Sequence, residues 1–194
     1  NSVKEIGVSA FSRCTNLIPV DMGNGVETIK DIAFNNCYQL ASAPLPQSVK
    51  TIGRKAFGNC NALTTVKIPA GVTTVEETAF YDCGNLKTIV LSEGTVAIKQ
   101  WAFYGCDELE SIVLPRSVRT IGGEAVRSDK RVNIYYLGTE QEKQSIAISN
   151  KNDSLNSGLW HFNCCPADGI HTYTDLCDAN CDDCNAPRTP PHSF

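Results

Sequence analysis

Ten cysteines in a chain of 194 residues are the first chemistry on offer. Cys14, Cys37, Cys60, Cys83 and Cys106 recur every 23 residues, each three residues after a phenylalanine: Phe11, Phe34, Phe57, Phe80 and Phe103. Sulfurs carried in register on stacked units would form a row, a geometry open to redox or metal chemistry. Three arguments send the row to the core instead. All five occupy one equivalent inward position, an odd number cannot pair completely, and unpaired cysteine is among the most buried residue types. The remaining five, Cys164, Cys165, Cys177, Cys181 and Cys184, lie close together among Asp168, Asp175, Asp178, Asp182 and Asp183. There C-x-x-x-C-x-x-C could hold zinc through Cys177, Cys181, Cys184 and either His171 or His192, although no paired C-x-x-C set accompanies it. Disulfides stapling a small exported module, and free thiols in a disordered tail, are the competing readings.

Acid, base and nucleophile do not converge elsewhere. The three histidines all lie at or beyond position 161, so no histidine can assist a Ser or Cys nucleophile earlier in the chain. Glu76 and Glu77 sit where a helical turn should start, and favour that start electrostatically. The Asn-Asp-Ser sequence at Asn152 reads as a loop rather than a glycan site. The reading is therefore non-enzymatic. A net charge of −4 supplies no clustered cation for nucleic acid or anionic lipid. Apolar runs of a few residues are too short for a membrane-spanning helix. No signal pattern opens the chain, and Asn1 falls inside a repeat, as in a mature or trimmed fragment.

The elements that carry these residues are repeats. Alanine recurs at Ala10, Ala33, Ala56, Ala79, Ala102 and Ala125, and leucine follows each ladder cysteine at Leu17, Leu40, Leu63, Leu86 and Leu109. In one unit, L-T-T-V-K-I turns Leu63, Val66 and Ile68 inward and Thr65 and Lys67 outward, which is a strand. Pro69 to Gly71 ends it, and Val72 to Val75 returns as a second extended piece. Glu76 to Cys83 places Ala79, Phe80 and Cys83 at helical spacing, predicting one or two helical turns. Each unit is too small to bury its own apolar side, so units must stack.

A unit of this length with L-x-x-V-x-I looks like a leucine-rich repeat. Blocks such as I-G-R-K-A-F-G-N-C-N-A-L-T-T-V-K-I-P, Ile52 to Pro69, and V-E-E-T-A-F-Y-D-C-G-N-L-K-T-I-V-L, Val75 to Leu91, resemble more specifically the BspA-type leucine-rich repeat of bacterial surface antigens. The expected fold is an α/β leucine-rich-repeat solenoid of about six 23-residue units, with a parallel sheet on one face, short second strands and short helical turns. Repeats are expected over 1–137, where Val126 and Asp129 replace the ladder Phe and Cys as the stack ends. A cap over 138–162 follows, in which Gly138 to Ile146 resembles the family's closing helix. Lys143 stands there where the family has tryptophan, and Trp160 is expected to supply the aromatic. Residues 163–194 form a cysteine-rich tail, and the stretch from His171 to Thr189 is similar to modules repeated in surface proteins of gut Firmicutes.

The resemblance implies an extracellular or cell-surface protein that adheres to a host or bacterial surface protein or glycan. No cofactor is required, zinc in the tail being the exception considered, and the chain is expected to be a monomer without nucleic-acid or membrane partners. A structural spacer within a longer surface protein is the alternative. Stepping by 23 puts two outward stripes on the sheet: Pro19, Ser42, Thr65, Thr88, Ser111 and Ile134, and beside them Asp21, Pro44, Lys67, Val90, Val113 and Tyr136. Lys67, Val90, Val113, Ile134 and Tyr136 are the expected contact residues, Tyr136 the anchor. Trp101 and Tyr104 offer a second aromatic contact on the outer edge, or pack between neighbouring turns.

Overall fold

A computed structural model describes residues 2–162. Its strands are, in chain order, β1 (Glu5–Ile6), β2 (Thr28–Ile29), β3 (Thr51–Ile52), β4 (Thr65–Ile68), β5 (Thr74–Val75), β6 (Thr88–Leu91), β7 (Ala97–Ile98), β8 (Ser111–Leu114), β9 (Thr120–Ile121), β10 (Asn133–Tyr136), β11 (Ala147–Ile148) and β12 (Leu159–Phe162). Two four-residue helices, α1 (Glu140–Lys143) and α2 (Asp153–Asn156), lie near the end. The chain winds as a parallel-sheet solenoid of about seven coils of roughly 23 residues each.

The two-residue strands form one row of the solenoid. Ile6 pairs with Ile29 and Ile29 with Ile52, then Val75 with Ile98 and Ile98 with Ile121. All are buried while their Thr, Glu and Ala neighbours are half-buried or exposed, so a slip of one residue would turn the apolar row outward. The four-residue strands form a five-stranded sheet in the order β12-β10-β8-β6-β4. It does not extend to the first two coils, where the unit repeat predicted strands at residues 19–22 and 42–45. Pro19 and Pro44 occupy those segments, and proline has no N–H for a ladder. Val20, Met22, Ala43 and Leu45 still pack against the core there.

Between the strands the expected helical turn opens into two tight turns. Ala79 N donates to Glu76 O at 3.1 Å and Tyr81 N to Thr78 O at 3.1 Å. The alternate N–H groups leave the coil, Phe80 N reaching Ala102 O at 2.8 Å and Asp82 N reaching Tyr104 O at 2.7 Å. Thr78 and Asp82 take φ of 58° and 53° to aim them, a left-handed conformation that no helix interior allows. The inward spacing of Ala79, Phe80 and Cys83 survives, because the turns and a helix put the same residues on one side.

Phe11, Phe34, Phe57, Phe80 and Phe103 stack at centroid distances of 5.1, 5.1, 5.2 and 5.3 Å. Four of them are fully buried, each burial stabilising by roughly 1.5–3 kcal/mol, whereas Phe11 on the first coil is 37% exposed. Beside them each thiol donates back one coil: Cys37 Sγ to Phe11 O at 3.1 Å, Cys60 to Phe34 O at 3.3 Å and Cys83 to Phe57 O at 3.1 Å. The ladder cysteines are thus core residues, except that Cys14 is exposed. Ion pairs also join coils. Glu27 lies between Lys4 at 2.9 Å and Lys50 at 2.8 Å, and the Lys50 and Lys4 hydrogen bonds draw its carboxyl down to about 2.

In the last described coils, side chains take up backbone groups. Asn152 is fully buried. Its Oδ1 accepts from Ala125 N at 3.0 Å, and its Nδ2 donates to Gly122 O at 2.8 Å and Ser149 O at 2.7 Å. Ser154 Oγ accepts from Ser128 N at 2.9 Å. These side chains meet backbone groups that a further coil would otherwise satisfy. Thr139 and Glu142 form a capping box that starts α1. Lys143 Nζ then lies 4.0 Å from the centre of the Trp160 ring, and Trp160 Nε1 donates to Leu155 O at 2.9 Å. Trp160 is thus covered by Lys143.

Candidate functional site

The outward course of the five-stranded sheet differs from the stepped stripes at its end. Lys67 pairs with Val90 and Val90 with Val113, but Val113 pairs with Tyr135, and Tyr135 with His161. Ile134 and Tyr136, expected to face out, point inward and are 0% and 1% exposed. The cause is one residue fewer between equivalent inward positions: Leu109 to Ile112 is a three-residue step, whereas Val132 to Ile134 is a two-residue step. Burial selects the face of a strand before any repeat length does. Burial also pushes the Tyr136 hydroxyl up, and its ring meets Trp160 edge-on at 6.3 Å and Phe162 at 6.5 Å.

Lys67 and Val90 stay on the outward course and are half-buried. Val113 keeps that course too, but at 5% exposure it is a buried member flanked in register by Val90 and Tyr135, not open contact surface. The stripe is therefore Lys67, Val90, Val113, Tyr135 and His161. Its aromatic end is ordered: the Tyr135 and His161 rings stack at 4.7 Å with an interplanar angle of 15°. His161 Nε2 lies 3.4 Å from Asn133 Oδ1 on the neighbouring outward course. Tyr135 and His161 were missed by the 23-residue step. The alternation of Val132, Ile134 and Tyr136 within V-N-I-Y-Y-L carried the signal that would have found them.

Trp101 and Tyr104 are brought together on the turn segments, Trp101 Nε1 donating to Glu124 Oε2 at 2.8 Å and Tyr104 stacking on Tyr81 at 5.4 Å. The zinc candidates Cys177, Cys181, Cys184, His171 and His192 lie outside the described residues. Among the described residues no group of three or more His, Cys, Asp or Glu is placed to hold a metal, and no helix is long and apolar enough to cross a membrane.

Comparison with known proteins follows the same lines. The family model for the BspA type leucine rich repeat region matches in six copies, over residues 1–93 and 27–153. A leucine rich cell surface protein from Faecalibacterium prausnitzii is 35% identical, with a TM-score of 0.59, over 66% of this chain and 34% of that one. A leucine-rich repeat protein from Bacteroides ovatus is 25% identical, with a TM-score of 0.55, over 84% of this chain and 50% of that one. The pneumococcal vaccine antigen PcpA, 19% identical over 81% of this chain and 38% of its own, shares the fold with a TM-score of 0.63. The chain thus spans one third to one half of the length of these solved proteins. None of the curated proteins matches it.

Proposed function

The chain belongs to the BspA-type leucine-rich repeat family, and from that premise we propose that it is a non-enzymatic surface protein that holds a partner on the outward face of its five-stranded sheet. The family and the Faecalibacterium prausnitzii cell surface protein support a protein-interaction or adhesion role. The partner is a host extracellular or bacterial surface protein or glycan, met outside the cell. One observation carries the choice of face: Val90, Tyr135 and His161 lie on one outward course of the sheet, with the buried Val113 between Val90 and Tyr135. Apolar and aromatic residues in one outward row, with a flat Tyr–His stack at its end, are the composition that dominates contact energies.

Surface plasmon resonance of the chain against a panel of extracellular matrix proteins, mucin and bacterial wall glycans tests this. Binding to one panel member should fall at least tenfold in Tyr135→Ser and in Val90→Ser, with the melting temperature kept. Binding that both variants leave unchanged refutes the sheet-face reading. A panel with no binder favours the second role, a rigid spacer, for which the continuous Phe stack is the supporting observation.

A further inference from the structure

In two rows of the turn segments, aromatic residues occur in only two neighbouring coils among the described residues. Stepping along the solenoid, one row reads Gly58, Tyr81, Tyr104 and Arg127, and the row three residues earlier reads Lys55, Thr78, Trp101 and Glu124. Tyr81 and Tyr104 lie face to face at 5.4 Å and 4°. Their far faces are covered by the chain's own cations, Lys55 Nζ standing 5.6 Å from the Tyr81 ring and the Arg127 guanidinium 5.0 Å from the Tyr104 ring. In the other row the Glu124 carboxylate is held by Trp101 Nε1 at 2.8 Å. Tyr81, Trp101, Tyr104 and Glu124 together line a cavity of about 210 Å³.

The core does not ask for these side chains. All four are half-buried, and coils that carry Gly58, Lys55 or Thr78 at the same positions keep the same Phe ladder behind them. The backbone does not ask for them either: Ser9, Ile32, Lys55 and Thr78 take the same left-handed conformation as Trp101. The departure from the repeat is thus required by neither the Phe ladder nor the backbone conformation.

We propose that this cavity binds a neutral sugar ring. With both faces of each tyrosine taken, the Trp101 ring and the tyrosine edges give the apolar surface for the C–H groups of a pyranose, and the Glu124 carboxylate fixed by the Trp101 indole N–H accepts from its hydroxyls. The Tyr hydroxyls, that of Tyr104 accepting from Arg127, add polar atoms beside the apolar wall, the mixture that small-ligand sites use. A cationic ligand is the poorer fit, because the outer faces of the tyrosine pair already carry Lys55 and Arg127. The site lies on the turn segments and goes beyond the sheet-face reading.

Saturation-transfer difference NMR on the whole chain tests it, with glucose, galactose, mannose, N-acetylglucosamine, N-acetylgalactosamine and tetramethylammonium as the probes. At least one sugar should receive saturation, and that signal should be lost in Trp101→Ala and weakened several-fold in Glu124→Gln. Glu124→Gln keeps an oxygen for the Trp101 N–H, so it decides the matter if Trp101→Ala fails to fold. No transfer to any sugar, transfer to tetramethylammonium alone, or a sugar signal unchanged in Glu124→Gln and in a folded Trp101→Ala each overturns the proposal. The signal should persist in Tyr135→Ser, so the two readings fail separately.

Discussion

Each ladder thiol is defined by the coil on its N-terminal side. Cys60, Cys83 and Cys106 donate to the carbonyls of Phe34, Phe57 and Phe80, and burial pushes all three thiols up. The thiolate is the form that reacts with alkylating agents and metals, so these sulfurs are shielded twice, by access and by protonation. Cys14 has the same sequence context but sits exposed on the first described coil. Iodoacetamide applied to the native protein, followed by peptide mapping, should therefore modify Cys14 and leave Cys60, Cys83 and Cys106 unmodified until denaturant is added. Modification of Cys83 at the rate of Cys14 would show that the ladder opens in the native state. The assignment of these cysteines to packing was legible from their shared position alone. The exposure of Cys14 was not, because identical spacing says nothing of which coil stands at an end.

The strand is where repeat arithmetic and burial part company. From β4 to β8 both rules agree, since Val66, Ile89 and Ile112 are 23 apart and all buried. At β10 the inward residue Ile134 is only 22 from its partner Ile112, and the hydrophobic alternation decides which side faces out. The turn segment shows the complementary case: apolar spacing alone fitted a helix, but inter-coil hydrogen bonds claim every second N–H, and no periodicity records that. Adjacent tyrosines make the strand rule testable. Tyr136→Ser removes a ring that is 1% exposed and should cost roughly 3–5 kcal/mol in chemical denaturation, as large-to-small core changes do. Tyr135→Ser, on the half-buried outward side, should stay within about 1 kcal/mol. The reverse order would restore the 23-residue register and remove Tyr135 from the contact stripe.

The first and the last described coils differ in what they expose. The first coil leaves Val3, Val8 and Ile18 at 57%, 64% and 64% exposure, while the last described coils end on a polar plug in which Asn152 and Ser154 hydrogen-bond backbone. In a solenoid each coil contacts only its neighbours, so stability is close to a sum of local terms and damage at one end should stay near that end. Asn152→Ala tests this on a residue whose role nothing in the repeat pattern announces. The substitution leaves Ala125 N–H and Gly122 C=O with only their mutual 3.3 Å hydrogen bond, a loss of about 1–3 kcal/mol in all. Thermal unfolding should shift down, and amide hydrogen exchange should quicken around residues 122–126 while the amides of Phe34 and Phe57 keep their protection. Loss of protection spread evenly along the chain would instead mean that the coils unfold as one unit, and that the plug stabilises the whole stack rather than its last turns.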